Sequence, residues 1–297
     1  MKVLLTGANG QVGWEVCRQL PEHGHTLVAT TRQQLDLSNA TSLQQAVSPD
    51  IDLIVNAAAY TAVDKAESDA ELARAVNATA PGLLATLCAE RKIPLVHIST
   101  DYVFDGTATR AYREDDPVAP LGVYGSTKLD GELAVQRALD THLILRTSWV
   151  FGVHGNNFVK TMIRLAGERS SLSVVADQIG APTFAGSIAA AICQIANRIE
   201  LGEAPWGTYH FCDDGPTTWH SFAVSVIALA HEAGLIASLP DIVPIRTSQY
   251  PTPAQRPGYS VLNTRKFQAQ FPDFALRSWQ DGVRDIIAAL NSTAGKT

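Results

Sequence analysis

The sequence predicts an α/β protein: a doubly wound parallel-sheet domain over residues 1–150 and a smaller mixed α/β domain over residues 151–297, some of whose segments return to the first. Three observations carry this expectation. The chain opens on Lys2-Val-Leu-Leu-Thr6, an apolar run too abrupt for a helix and suited to a strand buried on both faces. Glycines at 7, 10 and 13 follow it directly. As far as residue 150, runs of strand length alternate with helix-period segments, the pattern of repeated βαβ units.

Val12, Val16 and Leu20 mark the first helix, which Pro21 and Gly24 end. Strand, glycine turn and helix in that order form an anion cradle, because freed amide groups and the positive helix end both point at the turn. Gly7 permits the tight turn, Gly10 a close diphosphate and Gly13 close packing of helix on strand, with Asn9, Gln11 and Val12 between them. A dinucleotide-binding Rossmann domain is the expected reading, an ordinary βα turn the alternative. His25 to Thr31 is the second strand. It ends in Thr31 and Arg32 rather than the carboxylate that holds a ribose 2′-hydroxyl, so NADPH is expected there, with NADH also accepted; Arg32 reads equally as a solvated loop residue. Asp36-Leu37 resembles a small acidic turn within reach of an adenine, or else a cap before the helix Ala40 to Val47.

Ile51 to Val55 is the third strand, closed by Asn56-Ala57-Ala58-Ala59, whose small side chains leave room for a cofactor. Asp64, Lys65 and Glu67 read as the charged start of a helical region that is long from about 70 to 91. Pro94 to Ile98 is the fourth strand, with Ser99-Thr100-Asp101 at its carboxyl end. The loop from Asp105 to Pro120 is a candidate cover for the pocket. A helix to about Leu139 carries Tyr124 and Lys128, and His142 to Arg146 is the fifth strand.

Tyr124 and Lys128 sit four residues apart, hence on one helix face. An ammonium there favours the phenolate and moves the phenol toward the pH range of proton exchange. The plain alternative is a surface helix with a solvated lysine. Thr100 could donate to the same substrate oxygen as Tyr124.

After Trp149 the alternation loosens. A helix from Asn156 to about Arg169, a strand from Leu172 to Val175, a polar loop from Asp177 to Thr183, a small-residue helix from Gly186 to Asn197, a strand near Thr208 to Cys212 and a helix from Thr218 to Ala233 are expected. Tyr250 to Gly258 holds three prolines, which limit the ordering cost of a loop around a ligand. Its Arg256 suits bidentate diphosphate binding, or pairs with a surface carboxylate. Asn291 to Thr297 reads as a loose tail.

Composition narrows the partners. A net charge of −6 argues against a general nucleic-acid binder, and no stretch of 18 apolar residues would cross a membrane. The amino terminus runs straight into a strand rather than a leader, and Cys17, Cys88, Cys193 and Cys212 form no CxxC pair. A cytoplasmic protein with reduced thiols is expected, as a monomer or homodimer.

Thr6-Gly7-x-x-Gly10-x-x-Gly13, Asn56-Ala-Ala-Ala59, Ser99-Thr100 and Tyr124-x-x-x-Lys128 together resemble the extended branch of the short-chain dehydrogenase/reductase family. Thr61-Ala-Val-Asp-Lys-Ala-Glu67, Ser99-Thr-Asp-Tyr-Val-Phe104, Arg146-Thr-Ser-Trp-Val150 and Arg256-Pro-Gly258 resemble members of that branch that reduce dTDP-linked ketosugars, over nearly the whole chain. The resemblance implies hydride transfer from NAD(P)H to the C4 ketone of dTDP-6-deoxy-L-lyxo-4-hexulose. It implies that Tyr124 gives the proton, Thr100 polarises the carbonyl, and Lys128 holds the nicotinamide ribose while making the phenol more acidic. Asp101, Tyr102, Trp149, Asn157 and Arg256 are implied on the substrate side. Rival readings are an epimerase or 4,6-dehydratase on the same scaffold, and a non-catalytic NADP-binding regulatory subunit. Some relatives resemble dimers joined through Mg²⁺ by a glutamate on the first helix and a later acidic pair. Glu15 is present here but Phe184 to Ala191 holds no carboxylate, so no metal is expected.

Overall fold

The computed structural model describes residues 1–294. β1 (Lys2–Thr6), β2 (Thr26–Thr30), β3 (Leu53–Asn56), β4 (Leu95–Thr100) and β5 (His142–Thr147) are the five strands expected of the first half. The helices between them are α1 (Gln11–Gln19), α2 (Ala40–Ala46), α3 (Val63–Ala66), α4 (Ala70–Arg74), α5 (Ala80–Arg91) and α6 (Val123–Ala138). The helix expected over 70 to 91 is α4 and α5 joined through a π-helical turn at Ala75–Thr79.

The second half supplies β6 (Val150–Phe151), α7 (Phe158–Glu168), β7 (Ser171–Val175), β8 (Ile179–Gly180), β9 (Thr183–Phe184) and α8 (Ala185–Glu200). They are followed by β10 (Gly207–His210), β11 (Thr217–Thr218), α9 (Trp219–Glu232), β12 (Asp241–Ile245), α10 (Arg265–Gln270) and α11 (Trp279–Ala294). The expected polar loop after Val175 thus contains two short strands. β12, α10 and α11 are additions to the expected elements. Pro244 interrupts the strand pattern of β12, which among the described residues pairs with β7 alone. In α11 the buried Val283, Ile286 and Ile287 carry the helical spacing that marks it. Asn291 belongs to α11, so the loose tail does not begin there, and residues 295–297 of that expectation lie outside the described residues.

One six-stranded sheet has the order β10-β5-β4-β3-β1-β2, all pairs parallel. Its sixth strand, β10, comes from beyond residue 150 and lies beside β5. Side chains alternate across the strands. Val3, Leu5, Val96 and Leu145 face α1 and α8, where Val16, Ile188 and Ile192 meet them. Leu4, Ile54, Leu95 and Ile144 face the other way, onto Leu84, Cys88 and Val135. Each such buried side chain stabilises the fold by about 1.5–3 kcal/mol relative to exposure. A separate cluster of Phe151, Ile163, Phe222, Val226 and Ile286 joins α7, α9 and α11. The crevice thus lies at the carboxyl ends of the parallel strands, with the second cluster on its far side.

Candidate active site

A cavity of about 770 Å³ opens along the ends of β1, β3, β4 and β5. Its wall includes Gly7, Asn9, Gly10, Gln11 and Val12 from the glycine turn, and Arg32, Asp36, Leu37, Ala57, Ala58 and Ala59 beyond the neighbouring strands. Thr100, Asp101, Tyr102, Tyr124, Lys128, Trp149 and Asn157 line the same space. Three expected residues stand off it. Gly13 lies under the turn, where a Cβ would fall 2.1 Å from the Gly7 carbonyl oxygen, so its part is packing of α1 on the turn. Thr31 is tied through its amide and hydroxyl to Gln34 at 2.9 and 3.0 Å. Arg256 donates to Asp64 at 2.8 Å, which is the carboxylate pairing left open as its alternative.

The turn has the shape of a diphosphate cradle. Gly7 has φ +76°, and a Cβ there would lie 2.7 Å from the Ala58 backbone. A Cβ on Gly10 would meet only the Gly7 oxygen, at 3.3 Å, and otherwise point into open space. Only glycine leaves that volume free, so the residues fit a dinucleotide. Asp36 turns inward on its own segment, accepting from the Ser38 amide and hydroxyl at 2.9 and 2.7 Å. Asn39, not Asp36, caps α2 by accepting from Thr41 and Ser42.

Tyr124 and Lys128 lie on the first two turns of α6. That helix is held at its start by Glu67, which accepts the Val123 amide at 2.8 Å. It is anchored deeper by Glu132, which accepts from Ser99 and, at 2.7 Å, from Arg146. Lys128 donates to the Ile98 carbonyl at 2.7 Å. Burial pushes Lys128 down to about 8, with Glu132 opposing. The phenol of Tyr124 departs from expectation. Burial pushes it up to about 12, Thr100 opposes by hydrogen bonding, and Asp101 adds to the rise. The Lys128 ammonium donates to this carbonyl of β4 rather than to the phenol. Thr100 donates to Asp101 at 3.0 Å, and burial raises that carboxyl to about 6.

The opposite wall is aromatic. Trp149 stacks on Trp219 with centroids 3.5 Å apart, and a Cβ on Gly180 would strike its indole at 2.4 Å. Asn157 caps α7 and donates to Gln11 at 3.0 Å, joining the glycine turn to the second half. The loop from Asp105 to Pro120 contributes nothing to the wall. Its Tyr112 instead stacks on Phe104 and bridges to Leu262, because an aromatic side chain gains more from burial than from a mobile cover. Glu15 accepts from Arg18 and Gln19, and among the described residues no three His, Cys, Asp or Glu side chains gather as a metal site.

The sequence profile described as "RmlD substrate binding domain" matches residues 1–292. A dTDP-4-dehydrorhamnose reductase of Salmonella typhimurium is 46% identical, over 99% of both chains. The chain belongs to the dTDP-4-dehydrorhamnose reductase family. A Clostridium acetobutylicum crystal structure described as such a reductase is 37% identical with TM-score 0.90, covering 98% of this chain and 100% of that one. A Bacillus anthracis reductase in complex with NADP is 35% identical with TM-score 0.86, covering 97% of this chain and 98% of that one. Against the family resemblance read from the motifs, Trp219 and the Glu132-Arg146 pair are additions. The local signal was only that of a helix start, Thr218 capping by accepting the Ser221 amide, which does not say where the aromatic behind it faces. No described helix is long and apolar enough to cross a membrane.

Proposed function

We propose that this protein reduces the C4 ketone of dTDP-6-deoxy-L-lyxo-4-hexulose to give dTDP-L-rhamnose, using NADPH and also accepting NADH. The observation that carries it is the convergence of Thr100, Tyr124 and Lys128 on one cavity with the glycine cradle. Gly7 to Val12 would hold the diphosphate, Ala57 to Ala59 would flank the nicotinamide side, and Lys128 would hold its ribose. Arg32 would reach a 2′-phosphate, and Asp36-Leu37 would lie near the adenine. Bound NAD(P)H supplies the hydride for C4.

As the C4 carbonyl accepts two electrons, charge develops on its oxygen, and donors already aimed there lower the barrier. Tyr124 transfers its hydroxyl proton to that oxygen, converting it to the alcohol. The phenol is protonated at neutral pH, as a donor must be. Thr100 hydrogen-bonds the same oxygen, exchanging its Asp101 partner for the substrate. Lys128, still cationic below its own titration, stabilises the resulting tyrosinate. Asp101 and Tyr102 border the sugar, Trp149 offers a flat wall to base or sugar, and Asn157 keeps the turn and α7 together. Arg256 has donors beyond those facing Asp64 for the substrate diphosphate.

Purified protein mixed with NADPH and the ketosugar tests the reading. Absorbance of the reduced nicotinamide should fall as dTDP-rhamnose forms. A tightly held dinucleotide that is not consumed would point to the epimerase or dehydratase chemistry, and binding without turnover to a regulatory subunit.

A further inference from the structure

Thr6, Asn56 and His97 are direct register partners across β1, β3 and β4. With Lys128, none of the four exceeds 2% exposure. Thr6 Oγ1 lies 2.6 Å from Asn56 Oδ1, and Asn56 Nδ2 lies 3.0 Å from His97 Nδ1. His97 Nε2 is 3.4 Å from Lys128 Nζ. The same sheet face carries Leu4, Ile54, Leu95 and Ile144, with Ser99 and Arg146 beyond the row. A polar row buried there is costly unless every member is hydrogen-bonded, and each is. The geometry that brings it to α6 is simple. Four helical residues rise about 6 Å and two strand residues about 6.6 Å, so Lys128 and Glu132 sit over His97 and Ser99.

We propose that His97, backed by Asn56 and Thr6, is a positioning residue for Lys128: a neutral imidazole whose tautomer follows the charge on that lysine. It rests on reading Lys128 as part of the dinucleotide site. As an ammonium, Lys128 has only donors, so Nε2 must accept and the ring proton sits on Nδ1. Nδ1–H then requires the Asn56 amide oxygen, and the amide NH₂ turns to Thr6 Oγ1. As an amine, Lys128 accepts from Nε2–H, Nδ1 accepts from the Asn56 NH₂, and the Thr6 hydroxyl donates to the amide oxygen. Both states satisfy the whole row. They differ by the one proton that Lys128 loses to solvent, and the ring keeps a single proton throughout. Burial, then Lys128 and His142, hold His97 well below its ordinary value, so the charge stays on the lysine. The titratable or charged groups facing this pair are Tyr124 and Glu132 from α6 and His142 and Arg146 from β5. The consequence is mechanical: the ammonium that would bind the ribose is tied, through three strands, to the residue just before the glycine turn.

The test is ¹⁵N-histidine NMR of the full chain without ligand, with His97 assigned through His97→Gln. The protonated ring nitrogen should change from Nδ1 to Nε2 around the lysine's titration near about 8, with no imidazolium signal. In Lys128→Met the tautomer should stay constant with pH. A His97 tautomer that never changes, or one that changes equally in Lys128→Met, overturns the proposal. NADPH titrations across pH give a second arm. His97→Leu should move the alkaline loss of NADPH affinity down by about half a pH unit or more, because a bond to the charged lysine is gone. His97→Gln, which keeps an acceptor, should restore it, and superimposable curves for all three proteins would overturn the proposal. Neither arm uses the ketosugar, so absence of ketosugar turnover would count against the proposed reaction alone.

Discussion

The indole of Trp149 lies face to face with that of Trp219, their planes 8° from parallel. Trp149 has φ +45°, a left-handed conformation that costs a non-glycine residue on the order of 1–2 kcal/mol. The β8–β11 ribbon places Gly180 against the ring edge and carries Trp219 at its end, so the strain is offset by packing that holds the indole flat against the cavity. An aromatic pair contributes about 0.5–1.5 kcal/mol beyond area burial. Trp219→Leu should therefore raise the KM for the ketosugar roughly threefold to tenfold while NADPH affinity is unchanged. Steady-state kinetics and nucleotide titration check this, and an equal loss of both affinities would show a general collapse instead.

Tyr124→Phe removes only a hydroxyl from the cavity wall. NADPH binding should persist, and kcat should fall by about 10²–10⁴. Undiminished ketosugar reduction by this variant would eliminate the proposed proton donor.

Arg32 lines the cavity beyond β2, in the place where a carboxylate would discriminate against a 2′-phosphate. Arg32→Ala should raise the KM for NADPH about tenfold and leave that for NADH within about twofold. In the unmodified protein, rates with the two dinucleotides should lie within about two orders of magnitude. Equal effects on both dinucleotides would remove Arg32 from the 2′-phosphate.

Gly7 and Gly10 separate folding from binding. Gly7→Ala forces a Cβ onto the Ala58 backbone at positive φ, so the melting temperature should drop together with NADPH affinity. Gly10→Ala meets one carbonyl oxygen at 3.3 Å and should fold near normally, yet weaken NADPH about tenfold or more. Differential scanning calorimetry beside fluorescence titration distinguishes the two.

Asp213 is buried and accepts the Phe184 amide at 2.8 Å, and Ser187 also bonds to its carboxyl. Burial raises its carboxyl from 3.8 to about 6. Between these values the native state holds a proton that the unfolded chain has lost, so this group's contribution is fully present below about pH 4 and lost as pH rises past about 6. Asp213→Asn keeps an acceptor for the amide without the buried charge. Its stability relative to the parent protein should increase from pH 5 to pH 7.5, as measured by urea unfolding at each pH; a difference independent of pH would place the charge elsewhere.

The strands that carry the crevice were legible because each is a short apolar run with a glycine, proline or polar residue at its end. Trp219 was not, since a tryptophan at the start of an amphipathic helix has the same local pattern whether it packs in a core or faces a cavity. The same limit applies to His97, which reads as one polar residue inside a buried strand. Arg256 shows the reverse case. Its type suits a diphosphate, and the structure adds a partner at 2.8 Å, Asp64, 192 residues earlier in the chain.

By itself the sequence determined the strand, turn and helix of the glycine cradle, the one-face spacing of Tyr124 and Lys128, and the family to which the chain belongs. These depend on backbone geometry and dipoles among residues a few positions apart. Only the tertiary structure decided that Trp149 meets Trp219, that Thr6, Asn56 and His97 align beneath Lys128, and that the Tyr124 phenol is raised rather than lowered. Those outcomes are set by burial and by which distant groups share the interior, since the cost of removing a charge from water and the direction of a hydrogen bond exist only once the chain has closed around them.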